Sequence, residues 1–381
     1  MKEKKAIAAI ALILLVSALA YPIGADLIAG EKFATEPILP VENEHCRIID
    51  LSGDRMLYQT GNNIYLSELN GPGKIDVGYS ISFYPVLNRG GDKFAAFEST
   101  SSKLRIHGMA SEPDEYVVAD EMLNDSKIRD LSWSPDSTRL ALVLSNRSVP
   151  YALFIYDLET DESVHIFNSS EKFYEPSWSP DGKYMSFMAS AGRQSSTNGL
   201  YIANLQDSTI SLVVTGIGDA SRYWPERSDW SPSGDRIAYS SLGDIVLCDP
   251  DGGNPFRIAC CEKGRCSHLE WSPDGKNILY YFISSESPRL AHIGILNAND
   301  GALDEIFAAS FQNSYRLSWA GGGTRVAYLI ENLGSDNGFV VDLDRPSRSR
   351  PSIMISYVLF FVLPACCIAG WYFRSGSRMA V

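Results

Sequence analysis

Side chains of the types that carry out catalysis are present in this chain, but not at the spacings that catalysis usually requires. No serine lies in a Gly-x-Ser-x-Gly nucleophile elbow, and no histidine pair has the His-Glu-x-x-His spacing of a zinc hydrolase. The five histidines are scattered along the chain, at His45, His107, His165, His268 and His292. We therefore predict no catalytic residues and no metal site from local motifs.

Two short segments have residue types that bind ions in other proteins. Asp249, Asp251 and Asn254 carry the oxygen ligands that Ca²⁺ prefers, and Gly321-Gly-Gly323 has the glycine content of a phosphate loop. The first segment also has the composition of an ordinary turn between two strands, and no Lys-Ser/Thr pair follows the second. We interpret both segments as turns and predict no cofactor.

A turn motif of the type Trp-Ser-Pro-Asp-Gly-Lys repeats through the middle of the chain. Proline presets the backbone at the second position of the turn, and glycine adopts the left-handed conformation that ends it. Each copy therefore predicts a hairpin of two strands. The copies, of which the first two and the last are degenerate, occupy residues 51–58, 90–97, 131–142, 176–187, 228–239, 269–280 and 317–328.

The basic residue of each copy defines the period of the repeat. These residues are Arg55, Lys93, Arg139, Lys183, Arg236, Lys276 and Arg325. Their successive spacings are 38, 46, 44, 53, 40 and 49 residues, as expected of β-propeller blades with loops of variable length. Two more strands and a polar turn follow each hairpin, so that each unit predicts a four-stranded blade. The sequence thus predicts an all-β fold, a seven-bladed β-propeller, with six blades as the alternative because the first two copies are weak.

The last unit lacks a fourth strand before the chain becomes rich in Arg, Ser and Pro. Upstream of the first unit, Pro37-Ile-Leu-Pro-Val41 is an apolar piece with no place in a blade. Propellers avoid open sheet edges. We therefore predict that this piece is the missing outer strand and closes the ring.

The Trp-Ser-Pro-Asp-Gly-Lys units resemble the WD40-like propeller repeats of the TolB family, over roughly residues 44–343. The resemblance implies the propeller alone, because nothing here matches the separate amino-terminal α/β domain that TolB carries. Similar propellers also occur in prolyl oligopeptidases, but no serine hydrolase domain is recognisable in this sequence.

Two apolar segments flank the predicted propeller, which we assign to residues 36–343. Residues 1–25 combine three lysines with an apolar run, typical of a signal peptide or a signal anchor. After a linker at 344–351, residues 352–373 (Ser352 to Phe373) carry no charge and are long enough to cross a bilayer as a transmembrane helix. We predict a membrane protein, with the propeller outside the cytoplasm and a cytoplasmic tail at 374–381.

The formal net charge of −13 argues against a nucleic-acid partner, because phosphate binding requires a basic surface. Among the cysteines, Cys46, Cys248, Cys260, Cys261 and Cys266 lie in the predicted propeller. Outside the cytoplasm, Cys260 or Cys261 could form a disulfide with Cys266 and close a small loop. The CxxC spacing of a zinc site is absent.

The segments that lead into the first strand of each blade are rich in aromatic and cationic residues, although the chain is acidic. In a propeller these segments lie on one face, and enrichment in aromatic residues and arginine is typical of binding hot spots. The alternative is that these side chains pack the loops onto the blades. The candidate partner-binding residues are Arg129, Lys172, Phe173, Tyr174, Arg222, Tyr223, Trp224, Arg227, Arg265, Tyr315 and Arg316.

These observations favour a membrane-anchored, non-enzymatic propeller that acts as a protein-binding or scaffold module. Its expected partner is an envelope or membrane protein, a peptide or a glycan. The alternatives are a hydrolase or lyase with its active site in the propeller channel, since carboxylates from distant blades can meet there, and a glycan-binding surface protein. A structural subunit of a larger membrane complex is a further possibility.

Overall fold

The computed structural model of the chain contains seven four-stranded sheets, and every strand pair within them is antiparallel. The prediction of a seven-bladed, all-β propeller is therefore confirmed. The structure describes residues 33–38, 46–60, 63–69, 74–76, 85–98, 103–108, 115–118, 126–146, 150–170, 172–190, 199–215, 228–241, 243–260, 264–284, 290–310, 315–332 and 335–346.

The strands follow the chain order, blade by blade. Blade 1 contains β2 to β5, namely Cys46–Ser52, Arg55–Thr60, Asn63–Glu68 and Lys74–Asp76. Blade 2 contains β6 to β9, namely Val86–Leu87, Lys93–Glu98, Lys103–Gly108 and Glu115–Val118. Blade 3 contains β10 to β13, namely Lys127–Trp133, Arg139–Ser145, Tyr151–Asp157 and Glu162–Ser169. Blade 4 contains β14 to β17, namely Lys172–Trp178, Tyr184–Ser190, Gly199–Asn204 and Thr209–Thr215.

Blade 5 contains β18 to β21, namely Ser228–Trp230, Ile237–Ser241, Asp244–Cys248 and Phe256–Cys260. Blade 6 contains β22 to β25, namely Gly264–Trp271, Asn277–Ser284, Leu290–Asn297 and Leu303–Ser310. Blade 7 contains β26, β27 and β28, namely Tyr315–Ala320, Arg325–Asn332 and Ser335–Pro346, with a short 3₁₀ turn at Gly321–Gly323. Its fourth strand is β1, Phe33–Ile38, which comes from the other end of the chain.

The hydrogen bonds within the repeated turn explain why its sequence is repeated. In blade 4, the Ser179 hydroxyl donates to Asp181 at 2.6 Å and accepts the backbone N–H of Tyr184 at 2.9 Å. Gly182 closes the turn with a backbone hydrogen bond to Ser179 and has a φ of 65°, a conformation that glycine adopts at no steric cost. The turn therefore satisfies its own polar groups and joins the first two strands of the blade.

The first strands of the seven blades form the inner ring, because each contacts the first strands of both neighbouring blades. Since consecutive strands are antiparallel, the turns between strands one and two and between strands three and four lie on one face of the propeller. We call this the turn face. The connections between strands two and three, and from blade to blade, lie on the opposite face, which we call the loop face.

The apolar core is divided among the junctions between blades. Among the described residues, the buried hydrophobic side chains form seven clusters, and each cluster combines side chains from two neighbouring blades. At the junction of blades 3 and 4, for example, Leu153 and Ile155 pack with Phe173, Trp178 and Phe187. The strands are consequently buried on both faces, which explains their continuous apolar runs.

The tryptophan of the repeat links neighbouring blades by a hydrogen bond. The indole N–H of Trp133 donates to the Val86 carbonyl of blade 2 at 2.9 Å. Trp178, Trp271 and Trp319 make the equivalent bond to the preceding blade, to the carbonyls of Ser132, Asp229 and Glu270 respectively. Trp230 is the exception, because its indole N–H is buried and has no hydrogen-bond partner in the described part of the chain.

The ring is closed by the amino-terminal strand, as predicted. Strand β1 pairs antiparallel with β28 from Phe33 opposite Pro346 to Ile38 opposite Gly338. The observed strand begins four residues earlier than the apolar piece that predicted it, and overlaps that piece at Pro37 and Ile38. Strand β28 extends to Pro346, into the predicted linker. The carboxylate of Asp54 in blade 1 reinforces the closure by accepting hydrogen bonds from Gly321 and Arg325 of blade 7.

The predicted signal segment and the predicted transmembrane helix both lie outside the described residues. Within the described residues there is no helix with the length and apolar character needed to cross a membrane. Both predictions therefore remain predictions.

The possible pairing of Cys266 with Cys260 or Cys261 is not formed, because Cys266 is not in a disulfide. The side chains of its suggested partners, Cys260 and Cys261, lie outside the described residues. The Cys266 side chain is 3% exposed and packs in the cluster between blades 5 and 6, with Ala238 and Leu269 among its neighbours. The sequence left this burial open, because spacing does not give the direction of a side chain on its strand.

The indole hydrogen bonds can be tested by comparing two tryptophans. We expect Trp133→Phe to lower the free energy of unfolding by about 1–3 kcal/mol more than Trp230→Phe, because the former leaves the Val86 carbonyl without its donor. At Trp230 the same substitution removes a buried N–H group that has no acceptor in the described part of the chain. The measurement is urea unfolding of the purified full chain. Equal losses for the two variants would show that the indole bond contributes nothing beyond packing.

Candidate functional site

Two acidic residues on neighbouring inner strands form the candidate site. Asp229 lies on β18 of blade 5 and Glu270 on β22 of blade 6, and each directly precedes the tryptophan of its repeat. The corresponding residues of blades 3, 4 and 7 are Ser132, Ser177 and Ser318. The two carboxyl groups thus stand at a position that is serine in three other blades, while blade 1 has Asp50 and blade 2 has Val86 there.

The Asp229 carboxyl group connects three blades. Its Oδ2 accepts the backbone N–H of Trp271 in blade 6 at 2.8 Å, and its Oδ1 accepts the Ser177 hydroxyl of blade 4 at 3.0 Å. Burial, together with the charge of Glu270, raises the pKa of Asp229 to about 7 against the opposing effect of its hydrogen bonds. The protonated form is therefore substantially populated at neutral pH.

Glu270 has a similar environment at the next junction. Burial raises its pKa to about 8, against hydrogen bonds from the Trp319 backbone N–H and the Ser318 side chain and against the charge of Arg89. The side chain nevertheless keeps 32% of its surface accessible. The Nε2 atom of His268 lies 3.6 Å from its Oε2 atom.

This arrangement is able to do acid–base chemistry. A carboxyl group whose pKa lies near neutrality can both donate and accept a proton at physiological pH, and perturbed carboxyl groups are common at functional sites. The same geometry also has a structural explanation. Asp50 on β2 accepts the Leu87 backbone N–H of blade 2 at 2.8 Å, so an inner-strand carboxylate can serve simply to bind the next blade.

Seven of the eleven residues predicted to bind a partner lie on strands that the structure describes. All seven are in the first strands of their blades and at or near the ends of those strands on the loop face: Arg129 on β10, Lys172, Phe173 and Tyr174 on β14, Arg265 on β22, and Tyr315 and Arg316 on β26. The other four, Arg222, Tyr223, Trp224 and Arg227, lie outside the described residues.

Two of these side chains can be described in detail. Arg129 is exposed, and its Nε donates to the Ser145 hydroxyl of β11 at 2.7 Å. Phe173 is 1% exposed and packs against Phe167 and Phe187 in the core between blades 3 and 4. The packing alternative therefore holds for Phe173, whose ring is not part of an exposed surface.

The sequence analysis did not single out Asp229 and Glu270. The signal was nevertheless present in the repeats, because aligning the copies places these two acids at a position that is serine in three other blades. That alignment identifies the substitution but gives neither the burial of the carboxyl groups nor their contacts with the next blade.

The two segments interpreted as turns are turns. The side-chain amide of Asn254 donates to Asp249 at 2.6 Å, and Asp251 accepts the Gly253 backbone N–H at 2.8 Å. Gly321–Gly323 forms the 3₁₀ turn between β26 and β27. Among the described residues, no group of three or more His, Cys, Asp or Glu side chains is arranged to hold a metal ion.

The chain is similar in sequence to known proteins. The chain is 32% identical over 109 residues to the Tol-Pal system protein TolB of Francisella tularensis, and 25% identical over 303 residues to WD repeat-containing protein 1 of Rattus norvegicus. Its repeats are of the TolB-like, WD type. These alignments cover 26% and 74% of this chain, but 23% and 46% of the relatives, so the chain spans less than half the length of the curated relatives that it matches. No protein-family profile matches the chain.

Solved structures show the same fold. An oligogalacturonate lyase in complex with manganese superposes with a TM-score of 0.60 at 15% identity, over 84% of this chain and 99% of the lyase. The oligogalacturonate lyase of Vibrio parahaemolyticus gives a TM-score of 0.61 at 15% identity, over 82% and 98%. At this level of identity the likeness concerns the fold alone.

The raised pKa of Asp229 predicts how its substitution changes stability with pH. Between about pH 4 and about pH 7 the folded state holds a proton that the unfolded state releases, so this group's contribution to the free energy of unfolding falls as the pH rises. Asp229→Asn removes the titration and retains an acceptor for Trp271. We expect the stability of the variant relative to wild type to increase from about pH 5 to about pH 8, by up to a few kcal/mol.

Asp181→Asn is the matched control, measured by the same urea unfolding at each pH. Burial alone would raise the pKa of Asp181, but hydrogen bonds from Ser179 and Lys183 outweigh burial and lower it. Its contribution is therefore present at neutral pH and lost in acid, and this variant should lose stability relative to wild type as the pH rises from acid to neutral. The same pH trend in both variants would contradict the assignment of a buried proton to Asp229.

Proposed function

We propose that this chain is a non-enzymatic propeller that binds another protein on its loop face and acts as a membrane-held scaffold. The observation that carries the proposal is that inner-strand carboxyl groups accept hydrogen bonds from neighbouring blades. Asp50 and Asp229 each accept a backbone N–H group from the following blade, and Asp229 also accepts a hydroxyl group from the preceding one. These hydrogen bonds join neighbouring blades, and this structural role explains the acids without a substrate.

The loop face is the proposed binding surface because the backbone positions of the described candidates lie at that face. The described candidates start the first strands of blades 3, 4, 6 and 7, and the segment 216–227, with Arg222, Tyr223 and Trp224, joins the last strand of blade 4 to the first of blade 5. Arginine and aromatic residues dominate binding hot spots. A Tol-Pal system protein among the relatives also suits a partner in the cell envelope.

The membrane attachment in this proposal comes from the uncharged segment Ser352 to Phe373, with the propeller outside the cytoplasm. Such an anchor would hold the loop face close to other envelope proteins and would raise the effective concentration of a membrane partner.

A second candidate function is a hydrolase or lyase with its active site in the channel. The observation that favours it is the pair of carboxyl groups at Asp229 and Glu270, whose pKa values of about 7 and about 8 suit a general acid or base. The accessible third of the Glu270 side chain and the nearby His268 add to this possibility.

Cross-linked pull-down from native membranes, followed by mass spectrometry, tests the binding function. The test variant carries Arg222→Ala, Tyr223→Ala and Trp224→Ala. The matched control carries Lys183→Ala, Tyr184→Ala and Phe256→Ala, which removes one cation and two aromatic rings from exposed positions on the turn face. We expect a partner that wild type and the control both recover, and that the loop variant recovers at least about tenfold less, since hot-spot truncations cost more than about 2 kcal/mol.

Recovery of the same partners by the loop variant would reject the loop face as the binding surface. The enzymatic alternative predicts a turnover that copurifies with the chain and falls by about 100-fold or more in Glu270→Gln, because general acid–base catalysis contributes on that order. A turnover with this dependence would favour the enzymatic function over the scaffold.

A further inference from the structure

A small pocket lies on the turn face, at the junction of blades 5 and 6, and its volume is about 210 Å³. Its walls include Arg236 beside β19, Asp249 and Asn254 in the turn between β20 and β21, Phe256 at the start of β21, and Asn299 in the turn between β24 and β25. The loop-face candidates are on the opposite side of the propeller. A ligand in this pocket is therefore independent of the proposed protein partner.

Arg236 differs from the other cations at its position in the repeat. Lys93, Arg139 and Arg325 each extend their charged groups to the turn of the following blade, where they bond Ser137, Gly182 and Asp54. The Arg236 guanidinium makes no hydrogen bond or ion pair within the described part of the chain, and it lines the pocket instead. An exposed guanidinium group with five donors is thus available to a ligand.

The lining of the pocket also carries a negative charge. Asp249 accepts a hydrogen bond from the Asn254 amide at 2.6 Å, which leaves most of the acceptor capacity of its carboxylate unused. No ion pair within 4.0 Å joins Asp249 to Arg236 among the described residues, although both line a pocket of this small volume. Two opposite charges that share a pocket without meeting leave room for a dipolar ligand between them.

The remaining walls supply an apolar surface and no reactive group. The Phe256 side chain is 54% exposed at the pocket, although large aromatic side chains are usually buried. Cys248 also borders the pocket, but burial, followed by the charges of Asp249 and Asp251, raises the pKa of its thiol to about 12. The thiol stays protonated and unreactive at neutral pH, so the pocket is suited to binding and not to covalent chemistry.

We propose that this pocket binds a small zwitterion, a free α-amino acid with an apolar side chain. Its carboxylate bonds Arg236, its ammonium group bonds Asp249, and its side chain packs on the ring of Phe256. A simple anion would face Asp249 and a simple cation would face Arg236, whereas a zwitterion satisfies both walls. The volume lies below the roughly 300–1,000 Å³ of pockets for drug-sized ligands and suits a single amino acid.

Isothermal titration calorimetry of the full chain with L-phenylalanine tests this proposal. Two analogues separate the charges, since N-acetyl-L-phenylalanine lacks the ammonium group and L-phenylalaninamide lacks the carboxylate. We expect wild type to bind L-phenylalanine at least about tenfold more tightly than either analogue, because a hydrogen bond to a charged group contributes that much. Arg236→Gln should abolish the preference over the amide, and Asp249→Asn the preference over the acetylated form.

Arg257→Gln is the matched control, because it removes the same charge from the same blade. Arg257 is exposed, is paired with Asp244 at 2.9 Å and does not line the pocket, so this variant should bind L-phenylalanine as wild type does. The comparison of three ligands on wild-type protein still tests the proposal if a variant fails to fold. Absence of L-phenylalanine binding to wild type, or equal binding to wild type and Arg236→Gln, would overturn the proposal.

Discussion

The packing of each blade against its two neighbours is the interaction on which the rest of this structure depends. The described apolar core consists of seven clusters, and every one is shared by two blades. A single blade therefore has no complete core, and an open ring would expose the apolar faces of its first and last blades. Fully burying an aliphatic or aromatic side chain contributes roughly 1.5–3 kcal/mol, so an unpaired blade face would cost far more than any single hydrogen bond in the molecule.

The same packing determines what the channel can contain. Inner strands that approach one another side by side must satisfy backbone N–H groups at the axis, and side-chain carboxylates from the preceding blade do this at Leu87 and Trp271. Burial then disfavours the charge on such an acid, which is why the pKa of Asp229 rises. Ring assembly alone therefore explains a raised carboxyl pKa in this channel. The raised pKa is not by itself evidence of catalysis. Binding of a partner at the loop face, as proposed, would require no such group, since loops positioned by a rigid scaffold are where binding residues are most often found.

Much of the fold could be predicted from the sequence, because the repeat encodes its own turn. Ser179, Asp181 and Gly182 make the contacts that their residue types suggest, and the strand that closes the ring was recognisable as an apolar piece without a blade. The candidate site was much harder to predict from the sequence. Whether Phe173 points into the core or to solvent depends on strand orientation, and the burial of Asp229 depends on two other blades that lie about fifty and forty residues away along the chain. Sequence spacing carries neither kind of information.

The closing strand also determines how the molecule would respond to mechanical load. Phe33 lies opposite Pro346 in the β1–β28 pair, so the chain enters and leaves the propeller at neighbouring points on the same end of one antiparallel pair. Tension applied through both termini would act on that end alone and break the ladder one hydrogen bond at a time, as a zipper opens, instead of shearing all of its bonds together. The strand that completes the ring is consequently its weakest point under a pull. Rupture would begin in blade 7 and leave the other six blades stacked.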